Sequence, residues 1–270
     1  MNQTEQPVLY RVLDGTATIT LNRPEMLNAM NNSLMSGLSD ALQKVKADTD
    51  VRVVVLTGNG RGFCSGADLA QVAQPDTETQ TSGDADTDGI FNTAIRDLNT
   101  CPVPTIARIN GPAAGGGFGL ALACDITIAS SHAFFIATFG PRLGIVPDMG
   151  ATWSIPMRVG RARALGITLL GERITAAQAL AWGLIWSAVE HEDLDAEVSR
   201  VAQILKRSSP NTVTRIRQTI DAASYTTFSD QLNIEMQHQA VLIPRNMREG
   251  ALAFMEKREP LFGNERDQDT

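Results

Sequence analysis

Two stretches decide the reading of this chain: Gly62-Phe63-Cys64-Ser65-Gly66-Ala67-Asp68-Leu69, and further on Ile109-Asn110-Gly111-Pro112-Ala113-Ala114-Gly115-Gly116-Gly117. Each follows an apolar run with strand character, Val51–Thr57 ending at Gly58 and Thr105–Ile109. Such near-continuous apolar runs suit strands covered on both faces. Glycine lets a backbone approach a ligand closely and adopt positive φ. The second stretch opens a short predicted helix reaching Ala123, and a helix N-terminus offers free N–H groups and partial positive charge. Two such segments facing each other could hold an enolate oxygen; taken alone, they could equally be two structural turns. Gly58, Gly60 and Gly62 resemble part of a dinucleotide loop. The third glycine is misplaced for G-x-G-x-x-G and no long helix follows directly, which argues against that reading.

Outward from these stretches the pattern is strand, turn, helix. Val8–Leu13 and Thr16–Leu21 flank Asp14-Gly15 and predict a hairpin. Leu34, Leu38, Leu42 and Val45 carry helical spacing across 31–47, with Asn31 or Asn32 as cap. A polar, acidic stretch, Gln74–Gly89, reads as a solvated surface insert. A helix over 91–99 runs into Pro102-Val103-Pro104. Further strands are expected at Asp125–Ala129 and Ala133–Phe135. After Pro147 helices dominate, predicted near 150–157, 160–170, 175–182, 193–207, 211–223, 228–242 and 245–257, with one strand at Leu184–Val189. The recurring strand–turn–helix unit suggests stacked β-β-α turns rather than a doubly wound sheet. The division expected is a spiral core, 1–204, and a helical C-terminal region, 205–270.

Composition narrows the function classes. Of the net charge of −7, five negative charges (Asp76, Glu78, Asp84, Asp86, Asp88) fall in the acidic stretch, so the acidity is mostly local. No basic cluster suggests a nucleic-acid partner. The longest uncharged run, Pro112 to Cys124, is short and glycine-rich, so no membrane partner is expected. Cys64, Cys101 and Cys124 lie far apart without metal spacing, which fits reduced thiols. With no signal-like N-terminus, a cytoplasmic location is expected. No metal site is expected.

Several segments then resemble, in order, the signatures of the crotonase (enoyl-CoA hydratase/isomerase) superfamily. Leu21-Asn22-Arg23-Pro24-Glu25-Met26-Leu27-Asn28-Ala29 resembles its N-terminal signature, and the two glycine stretches, with Cys124-Asp125-Ile126, its two oxyanion segments. Leu143-Gly144-Ile145-Val146-Pro147-Asp148, Gly160-Arg161-Ala162-Arg163-Ala164 and Gly250–Pro260 continue the likeness. The resemblance implies an α/β crotonase-type β-β-α superhelix with a helical C-terminal trimerisation region, assembled as a homotrimer or a dimer of trimers. It implies an acyl-CoA thioester as substrate, so coenzyme A enters with the substrate and no prosthetic group is expected. It assigns the N–H groups of Ala67 and Gly116 to an oxyanion hole, where one donor is worth roughly 3–4 kcal/mol in the transition state. Ser65, Gly66, Asp68 and Leu69 would flank the adenine. Phe254 and Lys257 would lie near the nucleotide end, from a neighbouring subunit. Many relatives have Lys where this chain has Met26.

The departures from the pattern bear on the reaction. Hydratases of the family hold one water between two glutamates; here those positions are Gly119 and Gly140. One carboxylate remains well placed, Asp148. As an Asp before a helix it could be an N-cap worth about 1 kcal/mol. In ring-epoxide isomerases of phenylacetyl-CoA breakdown and some enoyl-CoA isomerases, an Asp at this point acts as acid and base. The dehalogenase branch uses an Asp there too, but with a His near Asn92 that this chain lacks. Asp68 and Asp125 are expected to serve structure. His132, His191 and His238 show no recognisable motif with each other or with a serine. The reading is an acyl-CoA isomerase with Asp148 as proton shuttle. Its rivals are an enoyl-CoA hydratase or dehydratase of fatty-acid metabolism and a non-catalytic acyl-CoA-binding homologue.

Overall fold

The computed structural model describes residues 6–72 and 89–266. Most of the acidic stretch expected at Gln74–Gly89 therefore lies outside the described residues. The chain opens with the expected hairpin, β1 (Val8–Leu13) and β2 (Thr16–Leu21), with Asp14 and Gly15 at the turn both at positive φ. β2 alternates, burying Ala17, Ile19 and Leu21. Helix α1 (Asn32–Ala47) is capped by Asn31, whose Oδ1 accepts the Leu34 N–H at 2.9 Å, and it buries Leu34, Met35, Leu38, Ala41, Leu42 and Val45.

β3 (Val53–Gly58) is buried at every position because it lies between two strands and under helices on both faces. After it come α2 (Leu69–Val72), α3 (Ile90–Asn99), β4 (Thr105–Ile109), β5 (Ala113–Ala114), α4 (Gly116–Leu122), β6 (Ile126–Ser130) and β7 (Phe134–Ile136). A π-turn, Phe139–Leu143, leads to α5 (Ala151–Leu170). β8 (Ile174–Thr175), α6 (Ala176–Ala181), β9 (Ser187–Val189) and α7 (Leu194–Leu205) complete the sheet-bearing part. The main sheet has the order β1-β2-β3-β4-β6-β9, antiparallel at β1/β2 and parallel from β2 onward. A second sheet pairs β5, β7 and β8.

One face of the main sheet carries the large core, where α1, α3, α4 and α5 meet Ile19, Leu56 and Ala107. The other face packs Val53, Val55, Ile106 and Ile128 against Leu194, Val198 and Val201 of α7. Because β3 and β4 run parallel, the turns that follow them emerge at the same sheet edge. That brings the two glycine stretches together.

Some predicted boundaries move. The strand expected over 184–189 keeps only its last three residues. Gly183, at φ 75°, stops α6, and the Leu184 N–H returns to the Ala179 carbonyl at 2.9 Å, as in a Schellman turn. The helices expected near 150–157 and 160–170 form one element broken at Gly160, whose φ of 75° and ψ of 163° are not helical. The last predicted helix starts late: Pro244 donates no hydrogen bond, and Ile243–Met247 form a π-turn before α10 (Arg248–Glu256). With α8 (Pro210–Ala222) and α9 (Phe228–Leu242), the described residues after Leu205 are helical or irregular, with no strand among them.

Candidate active site

The first glycine stretch is braced by the N-terminal motif. The guanidinium of Arg23 pairs with the buried Asp68 carboxylate at 2.8 Å and donates to the Ala29 carbonyl at 2.6 Å. Asn28, fully buried and at φ 57°, donates to the carbonyls of Asn59 and Gly62 and accepts the Arg23 N–H. Met30 bonds on both sides of Ala67: its N–H donates to Gly66 and its carbonyl accepts from Asp68. Asp68 thus serves the loop, as expected for its carboxylate. Ser65 donates through its hydroxyl to the Met26 carbonyl, and Leu69 is exposed.

The second stretch docks on the first. Cys64 bridges Ala113, and the Ala114 N–H donates to the Cys64 carbonyl at 2.9 Å. Gly66 must be glycine, because its φ is 93° and a Cβ would meet the Ala114 carbonyl at 2.9 Å. That same Cβ position lies 3.4 Å from the Gly116 nitrogen, so the segments touch at the residues the sequence singled out. Among the described residues neither the Ala67 nor the Gly116 N–H has a protein acceptor, and Gly116 opens α4. A free N–H from a loop and another from a helix N-terminus can stabilise a developing oxyanion.

Asp148 completes the group. Its Oδ1 lies 3.4 Å from where a Gly116 Cβ would stand. The alternative role as a helix cap is not taken by its side chain. Gly150 caps α5 without a side-chain bond, and the Asp148 backbone carbonyl accepts the Ala151 N–H at 2.9 Å. Met149 and Gly150, at φ 53° and 73°, turn the chain sharply after Asp148. The residue is exposed by surface area, yet the protein packed around its carboxyl raises its pKa by desolvation, against a smaller lowering from its own backbone N–H.

The glycines at the two family glutamate positions differ in their surroundings. A Cβ at Gly119 would stand 2.7 Å from both the Cβ and the carbonyl oxygen of Met149. That corner is filled, not open for an acyl chain. A Cβ at Gly140 would meet only the Thr168 carbonyl, at 3.4 Å. Met30 and Met149, both buried, escaped the sequence reading; nothing in their spacing marks them.

Other candidates fall outside this group. Phe254 and Lys257 are exposed at the end of α10, and Lys257 ends it at φ 53°. Asp125 is bound through both oxygens by Arg217 and accepts the Thr105 N–H at 2.7 Å. Two of the three histidines are closer than their spacing suggested. His132 stacks on His191 with ring centroids 4.8 Å apart, and His191 Nδ1 meets the Ser130 hydroxyl at 3.0 Å. Ser130 is fully buried, so its hydroxyl offers no nucleophile to a substrate. Cys64 is buried and its thiol is pushed up to about 12, which makes it inert. Among the described residues no helix is long and apolar enough to cross a membrane, and no cluster of three or more His, Cys, Asp or Glu forms a metal site.

A spiral of β-β-α turns with two unpaired backbone N–H groups at a shared sheet edge defines a crotonase-type protein. The profile of the enoyl-CoA hydratase/isomerase family matches residues 12–265, and the chain belongs to that family. It is 39% identical over 256 residues to a 1,2-epoxyphenylacetyl-CoA isomerase of Escherichia coli K12, covering 94% of this chain and 97% of the relative. At 37% over 256 residues, with the same coverage, it resembles a Rhodobacter capsulatus protein named a probable enoyl-CoA hydratase. The crystal structure of an enoyl-CoA hydratase from Polaromonas sp. JS666 superposes with a TM-score of 0.87 at 33% identity, covering 94% of this chain and 99% of the other.

Proposed function

We propose that this chain is an acyl-CoA isomerase that shifts a double bond, or opens or rearranges a ring, through a thioester enolate. The observation that carries the proposal is the Asp148 carboxyl over Gly116, with the corner at Gly119 closed by Met149. In this reading the Ala67 and Gly116 N–H groups bind the thioester oxygen. For a 2-enoyl thioester, the Asp148 carboxylate takes a proton from the γ carbon. The C–H electron pair enters the conjugated system and the thioester oxygen becomes the dienolate oxyanion. Asp148 then returns the proton to the α carbon, the carbonyl re-forms, and the double bond rests between the β and γ carbons. Nothing is oxidised or reduced. A raised pKa makes the ionised carboxylate a stronger base. The resemblance to an isomerase acting on a ring epoxide extends the substrate class to ring-containing acyl groups.

The same reading places the adenosine end of coenzyme A against Ser65, Gly66, Asp68 and Leu69, with Phe254 and Lys257 supplied by a neighbouring copy in a homotrimer or dimer of trimers. Hydration is the second reading, favoured by the names of the Rhodobacter and Polaromonas relatives. Incubation with 2-enoyl-, 3-enoyl- and arylacetyl-CoA thioesters in deuterated water separates them. An isomerised product without added oxygen, carrying deuterium where the Asp148 proton exchanges with solvent, is the expected result; a 3-hydroxyacyl product selects hydration. Asp148→Asn should lower turnover by about 10²-fold or more while acyl-CoA still binds. A protein that binds the thioester and turns none over is the non-catalytic homologue.

A further inference from the structure

Three side chains converge on one point beside the first residue of α4. From the place a Gly116 Cβ would occupy, the Met30 Cε lies within clashing distance, the Met149 Cγ is 3.1 Å away and the Asp148 Oδ1 3.4 Å. Both methionines are buried, at 3% and 4% exposure. Met149 also reaches along α4 to Gly119, where its Cβ and carbonyl oxygen stand 2.7 Å from the Cβ position. It holds this pose at φ 53°, a left-handed conformation that side-chain-bearing residues rarely adopt. A strained backbone at a buried thioether directly after Asp148 is maintained only by the surrounding packing.

We infer that Met149 is the residue that sets reaction specificity at this site, by filling the corner beside Asp148 that a nucleophilic water would need. The inference rests on the isomerase reading and deepens it. A buried water persists only where it has room and two to four polar partners. The partners are present: the Asp148 carboxylate and the backbone carbonyls of Asp148 and Met149 all border the corner at Gly116 and Gly119. The room is absent: the Met149 Cβ and carbonyl oxygen close the side at Gly119, and its Cγ closes the side at Gly116. With the corner dry, the β carbon of an enoyl thioester receives no hydroxyl, and the proton held by Asp148 returns to the carbon framework. If the corner opened, Asp148 would deprotonate a water there. The resulting hydroxyl oxygen would bond to the β carbon, and the proton would pass to the α carbon as the enolate collapsed, giving a 3-hydroxyacyl thioester.

The test compares Met149→Ala, which clears the Cγ beside Gly116, and Met149→Gly, which also clears the Cβ beside Gly119, with Met149→Leu, which keeps both atoms. Glycine also tolerates the left-handed backbone. Each protein is given a 2-enoyl-CoA in water enriched in both deuterium and oxygen-18, and the ratio of oxygen-labelled 3-hydroxyacyl product to isomerised product is measured. The expected result is a ratio raised at least about tenfold in the Ala and Gly variants and unchanged within about twofold in the Leu variant. An unchanged ratio in folded, isomerising Ala and Gly variants overturns the role of Met149 and leaves the isomerase reading standing. Loss of folding in both would mark Met149 as a packing residue and overturns it equally. A wild-type protein that forms no isomerised product from any of the thioesters removes the isomerase reading, and this inference with it.

Discussion

Asp148 is costly in the folded state and useful in the same measure. Its raised pKa means that the fold binds its proton more tightly than the unfolded chain does. The stability linked to this group is therefore present at low pH and is lost as pH rises through the folded value. Asp148→Asn should raise Tm relative to wild type at neutral and alkaline pH and lose that advantage in acid; an equal Tm difference at all pH values contradicts the assignment. Activity should show the matching profile, falling as pH drops through a value above the ordinary carboxylate range. Gly119 tests the packing next to it. Gly119→Glu, which restores a family carboxylate by residue type, should not install hydratase activity, because its Cβ has no space beside Met149. It should cost about 1–3 kcal/mol of stability by overpacking. Denaturant titration and a hydration assay read the two effects separately.

Between elements, the polar clamps carry most of the positioning. Arg217 on α8 donates to both oxygens of Asp125, to the Val103 carbonyl at 2.8 Å and to the Cys101 carbonyl. It ties the helical C-terminal region to the chain entering β4 and β6. Both partners are partly screened by solvent, at 17% and 26% exposure, which reduces the worth of the pair below that of a fully buried one. Arg217→Ala should therefore destabilise by on the order of 2–3 kcal/mol, the larger part from the unpartnered Asp125 and backbone carbonyls. Arg217→Lys should recover little, since an ammonium cannot span both oxygens and two carbonyls. Arg266 plays a similar part at the same end of the sheet, donating to the carbonyls of Val45, Lys46, Asp48 and Val51 where α1 ends.

For the whole molecule, the helical C-terminal region leaves much apolar surface outside the core. α9 buries none of its residues, and Ile216, Ile220, Tyr225, Phe228 and Met236 are more than half exposed. Large exposed apolar side chains gathered on one region are the kind of surface that subunit contacts cover. The trimer proposed above would cover it. Light scattering after size exclusion should return the mass of three or six protomers, and Phe228→Asp or Met236→Asp should lower it. A monomer at micromolar concentration would refute the assembly.

The two glycine turns, the Asp after Pro147 and most of the order of strands and helices were legible along the chain, but the short β5, β8 and α2 were not. Local patterning carries that information: period-two burial in β2, helical spacing in α1, and glycine where a backbone must approach another closely. Whether those turns met was a matter of parallel strands delivering them to one edge, a contact distant in sequence. The choice between Asp148 as a cap and Asp148 as a free carboxyl depended on the backbone after it, where two left-handed residues hand the cap to Gly150. Met30 and Met149 carried no signal of their own, since an apolar side chain reveals its role only through the neighbours it fills against. Local chemistry names the groups available to this protein; the long-range packing determines which of them stand within reach of one another.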